Sequence, residues 1–175
     1  MMKSKTFIEK LIDAAQNYKT LYVMGCFGAP MTAANKTRYT QNHKYNRRTA
    51  RTAMIKAASA DTFGFDCVCL IKGILWGWFG DKSDVYGGAV YASNGVPDIG
   101  ADSMIKKCLN VSTGNWGNMT PGEALWVPGH IGVYIGGGYV IEAASTTKGV
   151  IKTQVEGRGW QGWCKIPYID YLEEE

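Results

Sequence analysis

Sulfur, imidazole and carboxylate are the side chains here that can do covalent chemistry, and they are sparse. The chain carries five cysteines (Cys26, Cys67, Cys69, Cys108 and Cys164) and two histidines, His43 and His130. In "FDCVCLIKG", residues 65–73, an Asp stands directly before Cys67 and a nearly apolar stretch follows. This pattern predicts a buried helix starting near Asp66, whose carboxylate caps the free N–H groups of the first turn. A thiol in that turn sits at the positive end of the backbone dipole, which favours its nucleophilic, ionised form.

A thiol nucleophile needs a base, and the base needs an orienting group. Both can be sought in "HIGVYIGGGYVIEAAS", residues 130–145. Ile131, Val133 and Ile135 alternate with His130, Gly132 and Tyr134, so the odd positions of a strand face the core. With Gly136–Gly137–Gly138 as a three-residue turn, Ile135 pairs with Tyr139 and Gly132 falls opposite Glu142. His130 and Glu142 then become diagonal neighbours on one face, about 7–8 Å apart along the backbone. Gly132 leaves the space between them open. A two-residue turn would send Glu142 to the other face, so the expectation depends on the length of this loop. In this arrangement Glu142 holds one imidazole nitrogen and the other faces Cys67, with Cys69 as the fallback nucleophile.

Each of these residues also has a plain structural reading. Cys67 reads as a small buried hydrophobe, Asp66 as a cap alone, His130 as a satisfied strand end, and Glu142 as solvent-facing. Their combination in one chain is what points to chemistry. His43 lies in a basic stretch and reads as surface. An odd number of cysteines cannot all pair, and a chain of 175 residues does not need a disulfide framework, so the cysteines read mainly as free thiols. A zinc site built from "CVC", His130 and Cys26 is the sharper alternative, but the spacing of structural zinc ligands is missing. No metal and no cofactor is therefore expected.

These groups need a scaffold. Thr6 with Glu9 reads as a capping box for a first helix whose face is Phe7, Leu11, Ala14, Ala15 and Tyr18. "LYVMGCFGAPM" reads as a Gly- and Pro-punctuated loop. A second helix is predicted over about 45–58, with Ala50, Met54, Ala57 and Ala58 on one stripe and Lys44, Arg48 and Arg51 on another. The apolar helix from Asp66 is the central one, and a short helix follows near 98–108. Beyond "MTPGEALWVPG" come the strands "HIGVYI", "YVIEAA", "GVIKTQV" and "WCKIPYI". Helices first and an antiparallel sheet afterwards is the α+β pattern.

An apolar fraction of 46% against 19% charged residues is that of one ordinary globular domain, which excludes a disordered chain. Gly, Lys or Asp interrupts every stretch that might span a bilayer, and the apolar positions of the first twenty residues are too spaced for a secretory signal. The expectation is a soluble protein made in the cytosol without a signal peptide, or a domain trimmed of one. The formal charge of +4 is lopsided: between Asp13 and Asp61 there is no carboxylate but eight Lys and Arg residues. That stretch, densest over Lys36–Lys56, suits a polyanion or is a solvated helix face; no nucleic-acid motif accompanies it, so no nucleic-acid partner is expected.

The same segments carry a family likeness. "FDCVCLIKG" resembles the Asp-Cys-Ser-Gly-Leu-Val segment of NlpC-type cell-wall cysteine peptidases, within the papain-like group that includes the CHAP amidases. "PGHIGVYIGGGYVIEA" is similar to that family's His-Val-Gly-Ile-Tyr-Ile-Gly-Asn-Gly strand pair. "MTPGEALW" resembles its Pro-Gly-Asp segment and "LYVMGCFG" its Tyr-x-x-Gly-Gly segment. The likeness runs over about residues 18–168, with the motifs in the family's order. Val68 and Cys69 stand where Ser and Gly are usual, Glu142 where His, Asn or Gln is commoner, and Cys26 where Gly is found.

The resemblance implies a papain-like NlpC-type α+β fold, with N-terminal helices and the nucleophile on a central helix packed on a small antiparallel sheet. It implies one catalytic domain over 1–175, with about 29–65 as an extended, basic, partly helical insertion beside the substrate groove. The implied activity is hydrolysis of an amide bond in the bacterial peptidoglycan stem peptide by a cysteine endopeptidase, through a Cys–His–Glu triad and a thioester acyl-enzyme. An N-acetylmuramoyl-L-alanine amidase is the alternative, as is a non-catalytic wall-binding module of the same fold. Carried over by position, Cys67 is the nucleophile, His130 the base and then acid, and Glu142 the orienter. Tyr22 is the tyrosine near the nucleophile, and Asp66, Tyr134 and Trp126 are substrate-binding. The expected partner is peptidoglycan, with anionic wall polymers on the Lys36–Lys56 stretch. The expected setting is a phage or prophage lysin acting after release, or a domain of an exported hydrolase.

Overall fold

The structure, a computed structural model, describes residues 1–144 and 148–172. In chain order the elements are β1 (Met2–Lys3), α1 (Ser4–Asn17), β2 (Thr20–Tyr22), β3 (Phe27–Pro30), α2 (Ala33–Asn42), α3 (Thr49–Ala57), β4 (Phe63–Phe65) and α4 (Cys67–Leu75). Then follow α5 (Ala101–Lys107), β5 (Ala124–Val127), β6 (His130–Gly136), β7 (Tyr139–Ala143), β8 (Val150–Gln154), β9 (Gly162–Cys164) and β10 (Ile169–Asp170). Single-turn 3₁₀ segments occupy Lys44–Arg47 and Trp116–Asn118. The architecture is α+β. Its main layer is a five-stranded antiparallel sheet in the order β8-β7-β6-β5-β9, beside a three-stranded sheet β2-β4-β3 and the parallel pair β1-β10. No helix among the described residues is long and apolar enough to cross a membrane.

Helix α4 is the centre. All nine of its residues are buried, and it packs across β6, β7 and β3. Leu70, Ile71 and Ile74 are at most 1% exposed, so each contributes about 1.5–3 kcal/mol by burial. The two breaks in its apolar run each have a reason. A Cβ on Gly73 would fall 2.3 Å from the Phe27 carbonyl oxygen, so glycine lets α4 lie directly on β3. Lys72, 4% exposed, places its ammonium 2.5 Å from Asp98. The helix ends where Gly77 takes φ of +96°, a conformation that suits glycine beyond a helix end.

Several expectations are corrected. Helix α1 starts at Ser4 after a Lys3 cap position with no side-chain bond, so Thr6 and Glu9 lie inside the helix and form no capping box. Its buried face is Phe7, Leu11 and Ala14, as the periodicity predicts. The stretch read as a loop contains β2 and β3, short strands held by pairing with β4; three- and four-residue strands give too little alternation to be seen in sequence.

The single helix over 45–58 is instead a 3₁₀ turn followed by α3, and α2 precedes them. The side of α3 that turns inward carries Arg51 and Ile55, not the alanine stripe. The Arg51 guanidinium donates to the Tyr22 carbonyl and lies 5.7 Å from the centres of the Tyr22 and Tyr45 rings, so a cation expected on a basic stripe is buried. His43, read as surface, is half-buried: it stacks on Tyr39 and its ring fills the space above Gly25.

Cys108 and Cys164 are not free thiols. They form a disulfide that ties the end of α5 to β9, with Cα atoms 6.1 Å apart across a separation of 56 residues. Cys26, Cys67 and Cys69 are free.

Candidate active site

The β6–β7 hairpin sets the site. Val133 pairs with Ile141 and Tyr134 with Val140, the register that brings Gly132 opposite Glu142. The turn, however, is two residues long. Gly136 pairs with Tyr139 and Ile135 is the extra residue of a bulge. A two-residue turn alone would have turned Glu142 away from His130, and the bulge restores the face. Ile131 and Val133 are fully buried, so the even positions, His130 included, look away from the core. A Cβ on Gly132 would meet Val140 at 2.8 Å, Trp160 at 3.2 Å and the Cβ of Glu142 at 3.3 Å. Glycine is what leaves room for the two side chains to meet.

They do meet. His130 Nε2 lies 2.9 Å from Glu142 Oε1, and the Glu142 side chain is fully buried while His130 keeps 25% of its surface open. Glu142 also accepts from Thr153 Oγ1 at 2.6 Å and from both Nε and a terminal nitrogen of Arg158. Burial alone would raise its pKa. The hydrogen bonds from His130, Arg158 and Thr153 overcome this and hold it down at about 2. Burial alone would lower the pKa of His130, but its interactions with Cys67 and Glu142 raise it to about 9. Trp160 stacks on the imidazole with ring centres 5.5 Å apart.

Cys67 is the first residue of α4, directly after β4 and Asp66. Its sulfur contacts the Gly129 carbonyl at 3.9 Å, one residue before His130, and interacts with the imidazole itself. Asp66 caps the helix by accepting from Cys69 N at 2.8 Å, and its other oxygen accepts from Gly25 N at 2.8 Å. With both oxygens engaged and 5% exposure, Asp66 anchors the first turn of α4. Tyr22 pairs with Phe65 on β4, the strand that leads into Asp66 and Cys67. Burial, then the neighbouring Cys67 and Asp66, push its ionisation up, so the hydroxyl stays a donor. Cys69 faces away from this centre, and burial raises its pKa far above the ordinary thiol value.

Of the other predicted residues, Trp126 is half-buried on β5 and donates its indole N–H to Asp102, while Tyr134 lines a cleft further along β6. The basic stretch is divided: Lys44, Arg47, Arg48 and Lys56 are exposed, Lys36 and Arg38 half-buried, and Arg51 buried. Lys36 donates to the Lys56 and Ala58 carbonyls and Arg47 to those of Thr40 and Gln41, which satisfies the C-terminal ends of α3 and α2. With no carboxylate nearby in sequence, carbonyls take the cations. Lys44, Arg47 and Arg48 still surround Tyr45 in a surface hollow. Among the described residues no group of three or more metal-ligating side chains is placed to hold an ion.

Four contributors went unseen in the sequence. Thr153 was within reach: in a strand pairing with β7, it faces Val140 on the side that carries Glu142. Arg158 and Trp160 sit on a loop flanked by Gly157 and Gly159, both at positive φ, and no periodicity marks them. Asp102 of α5 accepts from Trp126 Nε1 at 2.9 Å and from Gly129 N at 2.8 Å, pinning the turn before His130 from a distant part of the chain.

No family model and no curated protein matches the chain. Among solved structures it is similar to the peptidoglycan hydrolase RipB from Mycobacterium tuberculosis, with 17% identity and a TM-score of 0.45 over 96% of this chain and 67% of that one.

Proposed function

We propose that the chain is a cysteine hydrolase of peptidoglycan that cleaves an amide bond of the stem peptide. The observation that carries the proposal is His130 held by the buried Glu142 and directly following Gly129, whose carbonyl lies 3.9 Å from the Cys67 sulfur. An imidazole favoured in its protonated form beside a thiol is what a thiolate–imidazolium pair requires. The choice of peptidoglycan rests on the ordered motif likeness around Tyr22, Cys67, Gly122 and His130.

In the reaction, the Cys67 sulfur attacks the amide carbon and the carbonyl π electrons move to oxygen. The backbone N–H of Cys67, at a helix start with no acceptor inside the helix, faces that oxyanion, and the Tyr22 hydroxyl assists it. The imidazolium of His130 gives its proton to the departing nitrogen as the C–N bond breaks, leaving a thioester on Cys67. Water, deprotonated by His130, then attacks the thioester and releases a carboxylate, and the thiol proton returns. Glu142 keeps the ring oriented throughout. Tyr134 and Trp126 contact substrate in this reading, and release from a phage or prophage host is its biological setting.

Purified peptidoglycan incubated with the protein is expected to yield soluble fragments whose masses show one hydrolysed stem-peptide bond. Cys67→Ala and His130→Ala should yield none. A product ending at the muramic acid lactyl group would assign the amidase alternative. Full activity in Cys67→Ala would remove the proposal.

A further inference from the structure

Beside the histidine lies a cleft in which the hydrolytic cycle makes and breaks no bond. Its cavity is about 550 Å³, walled by Trp116, Tyr134 and Trp160, with Met119 and Val155 between them and Glu156 at its edge. Trp160 belongs to both places, because it lines the cleft and stacks on the His130 ring.

The lining chemistry is narrow. Aromatic rings present negative π faces, and Glu156 is the one charged side chain among the lining residues. The neighbouring cations are already engaged: Arg158 turns to Glu142, and the Lys152 ammonium lies 4.1 Å over the Tyr139 ring. The lining is therefore electron-rich, and the His130 imidazolium stacks on Trp160 without itself lining the cleft. A sugar ring needs several hydrogen-bonding side chains around its hydroxyls. Here only the Tyr134 hydroxyl, which accepts from the Gly138 N–H and keeps its own proton to donate, and Glu156 are side chains that can meet hydroxyls, and the Trp160 indole N–H is buried without a partner. An alkylammonium group needs only aromatic faces and one carboxylate.

We propose that the Trp116–Tyr134–Trp160 cleft, with Glu156, is a binding site for an organic ammonium group. The ammonium is carried either by an amine-bearing side chain of the substrate or by a quaternary alkylammonium substituent. That the occupant belongs to the departing half of a cleaved amide rests on the hydrolase reading, since His130 protonates that half. The binding itself does not rest on it.

The test uses the full chain carrying Cys67→Ala, with tryptophan fluorescence and indole N–H NMR shifts as readouts. The probes are choline, its uncharged isostere in which carbon replaces nitrogen, acetyl-lysine amide, and N-acetylglucosamine oligomers. Saturable binding of choline or acetyl-lysine amide is expected, with at least about tenfold preference over the isostere and a comparable loss in Glu156→Gln. Choline alone would assign the quaternary source and the lysine amide alone the side-chain source. Equal binding of the isostere, sugar binding indifferent to Glu156→Gln, or no saturation by either cation would overturn the site. Trp116→Ala should also lose binding. Because Glu156 is exposed, its substitution keeps the test valid should that variant misfold. Cation binding alongside a wild-type protein that digests no wall would leave this site standing and remove the hydrolase reading.

Discussion

Replacing Glu142 with Gln keeps the shape of the site and removes one charge, so its effect on His130 can be worked out in advance. The rise of His130 from an ordinary 6.5 to about 9 corresponds to about 3 kcal/mol in favour of the imidazolium. Cys67 and Glu142 share that preference against the opposing effect of burial. Assigning Glu142 half gives about 1.5 kcal/mol, so the midpoint should fall by at least about one pH unit in Glu142→Gln. The charge also matters for stability, and the two partners act over different pH ranges. Glu142, depressed from 4.5 to about 2, adds stability that is complete above about 4.5 and lost as pH falls toward 2. His130, raised to about 9, adds stability that is complete below about 6.5 and lost as pH rises through 9. The variant should therefore lose most stability between about pH 4.5 and 6.5, where both partners are charged in the wild type. The loss should lie at or below the low end of the 3–5 kcal/mol typical of a broken buried pair, because Arg158, 40% exposed, can swing into water. NMR titration of the His130 ring protons and thermal melts across pH give both quantities. An unchanged His130 midpoint in Glu142→Gln would refute the reasoning.

Four further outcomes follow from the same geometry. Cys69→Ala should retain most hydrolysis while Cys67→Ala loses it, as measured by release of wall fragments, because Cys69 is buried on another side of α4. Gly132→Ala should destabilise the protein by about 1–3 kcal/mol and depress turnover, since its Cβ intrudes on Val140, Trp160 and Glu142; denaturant melts with a parallel rate assay measure both. Thr153→Val, which removes one hydrogen bond from Glu142, should cost about 1 kcal/mol by the same melts. Reducing Cys108–Cys164 should cost about 2–4 kcal/mol, seen as a lower melting temperature in reductant.

What the sequence reveals and what it hides divide along physical lines. The central helix is legible because Asp66 is a strong cap and the run after Cys67 is almost wholly apolar. The pairing of His130 with Glu142 is legible because strand alternation has a period of two and Gly132 marks the gap. The turn is one residue shorter than the three glycines suggest, yet Glu142 keeps the expected face, because a bulge at Ile135 supplies the residue that the shorter turn lacks. Arg158, Trp160 and Asp102 were not legible. They reach the site from a glycine-flanked loop and from a helix that neither sequence spacing nor periodicity ties to His130. The Cys108–Cys164 bond was hidden for the same reason, since an odd count of thiols says nothing about which two lie within bonding distance. Arg51 shows the opposite failure: its charge placed it on a solvated stripe, while the aromatic rings of Tyr22 and Tyr45 and a carbonyl give it a buried place.

The claim at the centre is that the sulfur of Cys67 becomes covalently acylated while His130 relays the proton. Acid-quenching the protein during digestion of purified peptidoglycan, followed by intact-mass and peptide mass spectrometry, tests it most directly. A thioester adduct of a wall fragment on the Cys67 peptide is expected in the wild type, absent in Cys67→Ala and strongly reduced in His130→Ala. An adduct on Cys69 or Cys26, or bond cleavage with no dependence on any thiol, would contradict it.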